Sequence, residues 1–335
     1  VQLRDDFVAV SVPATSANLG PGFDSVGLAL GLHDDVSVHA TTGRTSVVVE
    51  GEGAGHVPED EDNLVVRSLR LGLDRVGAPQ VGIRMHCTNR IPHGRGLGSS
   101  ASAIIAGLAL ARALVGDPEV LGADELLEIG TDVEGHPDNV APAVLGGATV
   151  AWCEQGRSGA LRLDPPAIIS PVAFVPDFEL ATSAARAALP SRVDHHDAAY
   201  NASRAALLAA LLAGAGTGAG SLSLGAGSGA EGTGTGAGSP ALPDAHALLM
   251  EATRDRLHQE YRRSAMPQSL ALVDWLRDAG LAAVVSGAGP TVLSLETVPE
   301  TVLVQARQAG WAVHRLDVDL HGVRQTRGRL AGSRS

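Results

Sequence analysis

Arg90-Ile-Pro-His-Gly-Arg-Gly-Leu-Gly-Ser-Ser-Ala-Ser-Ala103 decides how this chain is read. Three glycines, Gly94, Gly96 and Gly98, stand directly before two serines and an apolar run. Ile104, Leu108, Ala111 and Val115 then recur at i, i+4, i+7 and i+11, a spacing that predicts an amphipathic helix. A glycine-rich loop opening onto a helix offers free backbone N–H groups and the positive end of the helix dipole, so the segment predicts a phosphate site. Ser99 also fits as the helix N-cap, a role that uses the same N–H geometry.

The chain contains no lysine, and all 25 basic residues are arginine. A Walker A loop, which needs a lysine on the β- and γ-phosphates, is therefore excluded. So are the protein-kinase strand lysine and Schiff-base chemistry on lysine. A phosphate held by this loop rests mainly on backbone and hydroxyl groups.

A length of 335 residues predicts two domains or one large one. Hydrophobic residues make up 44%, enough for a sizeable core, but aromatics only 3%, so that core is built from Ala, Val, Leu and Ile. The net charge of −12 and the scarcity of aromatics argue against nucleic acid and against an anionic membrane surface. Cys87 and Cys153 are the two cysteines, too few for a disulfide framework or a zinc site of their own. With Arg4, Asp5 and Asp6 near the start, no apolar signal segment, and no run long enough to span a bilayer, the expected location is cytoplasmic.

Along the chain, Phe7 to Val12 reads as a strand ended by Pro13, and Val36 to Ala40 and Ser46 to Glu50 as strands that could pair. Asn63 to Val76 and Asp124 to Val133 read as helices, Val81 to Cys87 as a half-buried strand, and Leu145 to Trp152 as a strand broken by Gly146 and Gly147. A second half begins near Leu163, with strands at Pro171 to Val175 and Ala283 to Ser286 and helices at Asp194 to Ala213 and Pro267 to Ala279. The mixture predicts an α+β protein of two domains, 1–162 and 163–322. Residues 214–239, nearly all Gly, Ala, Ser and Thr, read as a flexible insertion between two helices, and residues 323–335 as a frayed basic tail.

Two further stretches accompany the glycine loop. They are Val12-Pro-Ala-Thr-Ser-Ala-Asn-Leu-Gly-Pro-Gly-Phe-Asp-Ser-Val-Gly27 and Val285-Ser-Gly-Ala-Gly-Pro-Thr-Val292. In order and character the three resemble the GHMP kinase family of small-molecule kinases. The first, together with Glu134-Gly-His-Pro-Asp-Asn-Val-Ala141, is most similar to the family's homoserine-phosphorylating branch. The resemblance runs from about Val8 to about Asp319, apart from the insertion. It implies an N-terminal domain like domain 2 of ribosomal protein S5 and a C-terminal ferredoxin-like α/β plait. It also implies ATP and Mg²⁺ as cofactors, ATP-dependent phosphorylation of the side-chain hydroxyl of L-homoserine for threonine biosynthesis, and a homodimer.

Residue by residue, the resemblance assigns the nucleotide loop to Pro92, His93, Gly94, Arg95, Gly96, Leu97, Gly98, Ser99, Ser100 and Ala101, with Asn63 near the adenine. Ser100 and Glu134 match the family's Mg²⁺ ligands, hard oxygens of the kind that ion prefers. Asn18, Asp24, His136, Asp138, Asn139, Thr182, Arg186, Arg262 and Gly287 match its acceptor site. A zwitterion with a hydroxyl needs oxygen acceptors for its ammonium and arginine for its carboxylate, and this set holds both. Glu134-x-His136-x-Asp138 also has the look of a metal cluster, but a pocket role for His136 fits better, since no further zinc ligands are at hand. Mevalonate kinases carry an aspartate base where this chain has Asn139, an amide that takes no proton at neutral pH. Catalysis is thus expected to rest on positioning and charge stabilisation. A mevalonate-type kinase and an inactive ligand-binding member are the alternative readings.

Overall fold

The computed structural model describes residues 1–117, 120–215 and 244–326. The first domain begins with a long hairpin of β1 (Phe7–Ala17) and β2 (Val26–Thr41), paired antiparallel along its whole length. Pro13 does not end β1. It falls at a register shift between Pro13 and Ala14, where the ladder is already interrupted and its missing N–H costs no regular bond. β3 (Ser46–Gly51) follows, then α1 (Leu64–Arg75) and β4 (Gly82–Asn89). β3 and β2 do not pair with each other as expected: β4 lies between them, antiparallel to β2 and parallel to β3. The helix α1 is the long crossover that a parallel pair requires.

The glycine loop leads into α2 (Ser99–Val115), followed by α3 (Ala123–Glu134) and α4 (Pro137–Leu145). Helix α2 is not the amphipathic helix expected from Ile104, Leu108, Ala111 and Val115. Nearly all its side chains are buried, because sheet, α1, α3 and α4 surround it. The small residues between the large ones are what allow packing on every side. The hairpin of β5 (Ala148–Glu154) and β6 (Arg157–Leu163) then adds to the near half of β2.

The second domain contains β7 (Val172–Val175), α5 (Thr182–Ala187), α6 (His195–Leu212), α7 (Ala245–Ala252), α8 (Pro267–Asp278), β8 (Ala283–Val285), β9 (Val292–Ser294), α9 (Glu300–Gln308) and β10 (Ala312–Arg315). Its four strands run β10-β7-β9-β8, all antiparallel, with α8 and α9 covering a core of Phe174, Leu270, Leu276, Val292 and Leu303. That is the strand order of an α/β plait. The Gly/Ala/Ser-rich expectation for 214–239 lies outside the described residues beyond Ala215.

The chain then crosses back. Val318 bridges Leu30, Asp319 N–H donates to Ala29 O at 3.1 Å, and β11 (Arg324–Thr326) pairs with β1. The tail expected to fray from 323 is therefore an edge strand as far as Thr326, because β1 offers it an unpaired ladder; residues 327–335 lie outside the described ones. A second core of Ala14, Leu28, Ile91 and Leu97 with Leu208, Leu249, Val284 and Leu293 joins the two domains. Among the described residues no helix is long and apolar enough to cross a membrane.

Candidate active site

The three sequence motifs meet at the domain junction. The Ser286 hydroxyl lies 2.6 Å from the Gly96 carbonyl and 2.8 Å from the Ser16 hydroxyl, so one side chain of the third motif touches both of the others. Gly287 N–H donates to Ala17 O at 2.9 Å, and Thr291 N–H to Arg95 O at 3.2 Å. Two of the motif glycines are obligatory. Gly96 and Gly98 have φ of 77° and 68°, and a Cβ at Gly98 would fall on the Thr15 hydroxyl.

Helix α2 starts from Gly98, so Ser99 is its first helical residue and does not cap it; Gly98 has no side chain to do so. The opening N–H groups of α2 are left for a ligand. Glu134, the last residue of α3, accepts a hydrogen bond from Ser100 Oγ at 2.8 Å. Burial pushes its carboxyl pKa up, and the Ser100 bond and nearby His136 partly counter this. A hydroxyl and a carboxylate this close to free helix N–H groups fit a divalent cation shared with phosphate oxygens. No group of three or more His, Cys, Asp or Glu that could hold a metal occurs among the described residues.

Two cavities open from this point, and Ser99 and Ser100 line both. The larger, about 300 Å³, is an apolar slot between Val36, Val49, Val57, Cys87 and Ala106, with Asn63 and His93 at its rim. Asn63 caps α1: its Oδ1 accepts from Val65 N–H at 3.0 Å and its Nδ2 donates to Pro58 O. The smaller cavity, about 130 Å³, is lined by Asn18, Gly94, Gly96, Gly98, Glu134, His136, Asn139, Thr182, Arg186, Arg262 and Gly287.

Some expected site residues stand elsewhere. The side chains of Pro92, Leu97 and Ala101 are buried, and Pro92 has no N–H to give; Leu97 and Ala101 can serve through backbone alone. Arg95 reaches Pro176 O at 3.1 Å and Asp177 O at 3.2 Å, so it ties the loop to the end of β7 and faces neither cavity. Asp24 and Asp138 do not line the smaller cavity. Each stands one hydrogen bond behind a residue that does: Asp24 behind Arg186, and the fully buried Asp138 behind His136, whose Nδ1 is 2.6 Å from Asp138 Oδ1. That bond raises the pKa of His136. Asp138 Oδ2 is buried with no hydrogen-bond partner among the described residues.

Other residues were missed. Thr15 donates to Asn139 Oδ1 at 2.8 Å, which leaves the amide N–H₂ of Asn139 for the pocket. Phe23 lies beneath both guanidinium groups, 5.8 Å from Arg186 and 5.7 Å from Arg262. His258 stacks on the same ring at 5.3 Å. Its signal in the sequence is its place four residues before Arg262, in the turn that leads into the short 3-10 helix Glu260–Arg262. Burial, and then the nearness of Arg186, push the Arg262 guanidinium pKa down. Two arginines converging on one small cavity make a site for an anion.

Residues 63–147 match the GHMP kinases N terminal domain and residues 240–302 the GHMP kinases C terminal region. The chain is 46% identical over 317 residues to a homoserine kinase of Streptomyces avermitilis, covering 94% of each protein, and 43% identical over 323 residues to one from Clavibacter michiganensis, covering 94% of this chain and 92% of the relative. The chain belongs to the homoserine kinases of the GHMP family. A crystal structure of a homoserine kinase from Cytophaga hutchinsonii superposes with a TM-score of 0.78 at 24% identity, covering 97% of this chain and 99% of the other. The two-domain α+β architecture is thus that of GHMP kinases, as the three motifs implied, and a mevalonate-type member is not favoured.

Proposed function

We propose that this chain transfers the γ-phosphoryl group of ATP to the side-chain hydroxyl of L-homoserine, releasing ADP and O-phospho-L-homoserine. The observation that carries the reading is the acceptor cavity, which has the glycine loop and the Ser100–Glu134 pair on one side and Arg186 and Arg262 on the other. A carboxylate on the arginines and a phosphate on the loop would face each other across about 130 Å³, room for a small amino acid and little more.

In this reading the base of ATP takes the apolar slot, and the N–H groups at the start of α2 hold its phosphates. Ser100 and Glu134 would hold Mg²⁺, which would supply neutralisation of the phosphate charge. Arg186 and Arg262 bind the amino acid carboxylate. The amide of Asn139, fixed by Thr15, positions the hydroxyl without taking its proton, which leaves with the phosphate oxygens. Such transfer has a loose transition state that needs alignment and charge stabilisation more than a strong base. His136, supported by Asp138, forms the wall beside Glu134.

An assay coupled to ADP release tests the assignment with L-homoserine, mevalonate and no acceptor. Homoserine-dependent turnover well above the other two is expected. Equal rates in all three, or preference for mevalonate, would overturn it.

A further inference from the structure

His258 is completely buried and touches nothing that reacts, yet it sits against Arg262 in a specific way. Arg262 has five N–H donors. Its Nε–H points to Ala185 O at 3.4 Å. Its Nη1 serves Gly287 O at 3.2 Å and His258 Nδ1 at 3.1 Å. Nη2 has no hydrogen-bond partner among the described residues, while Arg262 lines the acceptor cavity. Three donors are thus fixed by protein, and two remain for a ligand.

The imidazole accepts from Arg262 only through an unprotonated Nδ1. Its other nitrogen, Nε2, lies 2.6 Å from Gly20 O, a carbonyl that can only accept, so Nε2 carries the hydrogen. Burial pushes the pKa of His258 down, in keeping with a neutral ring. Ring position is set independently by the stack on Phe23 and by the turn in which Asp255 accepts the N–H groups of Leu257, His258 and Gln259. Phe23 and Gly20 belong to the first motif, Arg262 and His258 to the second domain. His258 therefore fixes the guanidinium of one domain against the loop of the other.

We propose that His258 is a positioning residue for acceptor recognition: through Nδ1 it holds Arg262 Nη1, so that Nη2 is presented to the carboxylate of the amino acid. This rests on the proposed role of Arg262 as a carboxylate ligand. The effect is confined to substrates that carry that carboxylate, which a purely structural histidine would not do.

The test compares wild type, His258→Leu and His258→Asn with L-homoserine and with 3-aminopropan-1-ol, which is homoserine without its carboxylate. Leu fills the space against Phe23 but accepts no hydrogen bond; Asn Oδ1 takes roughly the place of Nδ1. His258→Leu is expected to raise KM for L-homoserine about 10- to 100-fold, the loss of one well-aimed hydrogen bond to a charged group. Its kcat and its KM for ATP stay within about threefold, kcat/KM for 3-aminopropan-1-ol is unchanged, and His258→Asn recovers most of the loss. A parallel fall with both acceptors, or no change with either, would overturn the proposal. If His258→Leu does not fold, a His258→Asn variant that keeps wild-type kcat/KM with both acceptors supports it, and a fall with both acceptors alike overturns it. A wild type inert on L-homoserine removes the acceptor assignment itself, and this proposal with it.

Discussion

Asp24 and Arg186 hold each other in a two-pronged ion pair, with Oδ1 2.7 Å from Nη2 and Oδ2 3.2 Å from Nη1. The two side chains come from different domains and are each more than a third exposed. Arg186 lines the smaller cavity and Asp24 does not, so the carboxylate acts through the guanidinium, holding its fork in place at the cavity wall. The pair holds the guanidinium across the domain junction at little cost, since an exposed pair of this kind contributes about 1 kcal/mol or less.

Asp24→Asn should consequently alter recognition more than stability. Asp24 has φ of 52°, a conformation asparagine tolerates as well as aspartate. Urea unfolding is expected to change by less than about 1 kcal/mol. KM for L-homoserine is expected to rise by about tenfold, because Arg186 loses the charged partner that aims it. Arg186→Met should raise KM for L-homoserine too, and both variants should leave 3-aminopropan-1-ol unaffected, since both act at the carboxylate end; steady-state kinetics with the two acceptors checks it.

Gly98→Ala tests the loop. The new residue would be held at φ of 68°, and its Cβ would meet the Thr15 hydroxyl that fixes Asn139. The strained backbone alone costs about 1–3 kcal/mol. We expect lower stability in urea together with loss of most turnover, and a variant that keeps both would show that this geometry is not needed.

Glu134→Gln keeps a hydrogen-bond acceptor for Ser100 but removes the negative charge. The Mg²⁺ concentration for half-maximal rate is expected to rise by at least about tenfold, with kcat also reduced. Titrating Mg²⁺ at saturating ATP and acceptor measures it. An unchanged Mg²⁺ midpoint would move the cation to other ligands.

Acid stability should depend on Asp319. Burial alone would raise the pKa of this carboxyl. The hydrogen bond with His33 at 2.7 Å and those from the N–H groups of His321 and Gly322 outweigh it and hold the pKa at about 2, below the ordinary 3.8. A depressed carboxyl stabilises the fold above its unfolded pKa and loses that contribution as pH falls through the folded one. Asp319→Asn should therefore cost about 2 kcal/mol at pH 7. Between pH 4 and about 2 the wild type should lose this advantage until the two converge. Urea melts across that range check the sign as well as the size.

Much of this was legible in the primary structure, for identifiable reasons. The glycine loop that opens α2 was readable because glycines before a helix are a local signal, while the meeting of Arg186 and Arg262 at one cavity was carried by a family likeness. What local pattern could not show was who stands behind whom. Asp24 and Asp138 read as direct ligands because their chemistry suits an ammonium, yet folding placed Arg186 and His136 in front of them. Arg95 sits inside the loop but turns to Pro176 and Asp177, a partnership 81 residues away that no spacing rule encodes. Helix α2 read as one-faced because its large residues share a stripe, whereas its alanines and Gly107 are contact positions too. β2 and β3 are neighbours in the chain, but β4 comes between them through a parallel pairing that only tertiary assembly decides.

The return of residues 317–326 to the first sheet also bears on how the molecule is made. Since β11 completes the edge beside β1, the first domain is built from two stretches of chain with the whole second domain between them. During synthesis the ribosome delivers β1 to β6 early, but the β1 edge stays bare, and Asp319 cannot reach His33, until more than 150 further residues have been added. Neither domain is a detachable cassette, and severing the chain near Leu163 would leave the amino-terminal fragment with an open strand where aggregation can begin.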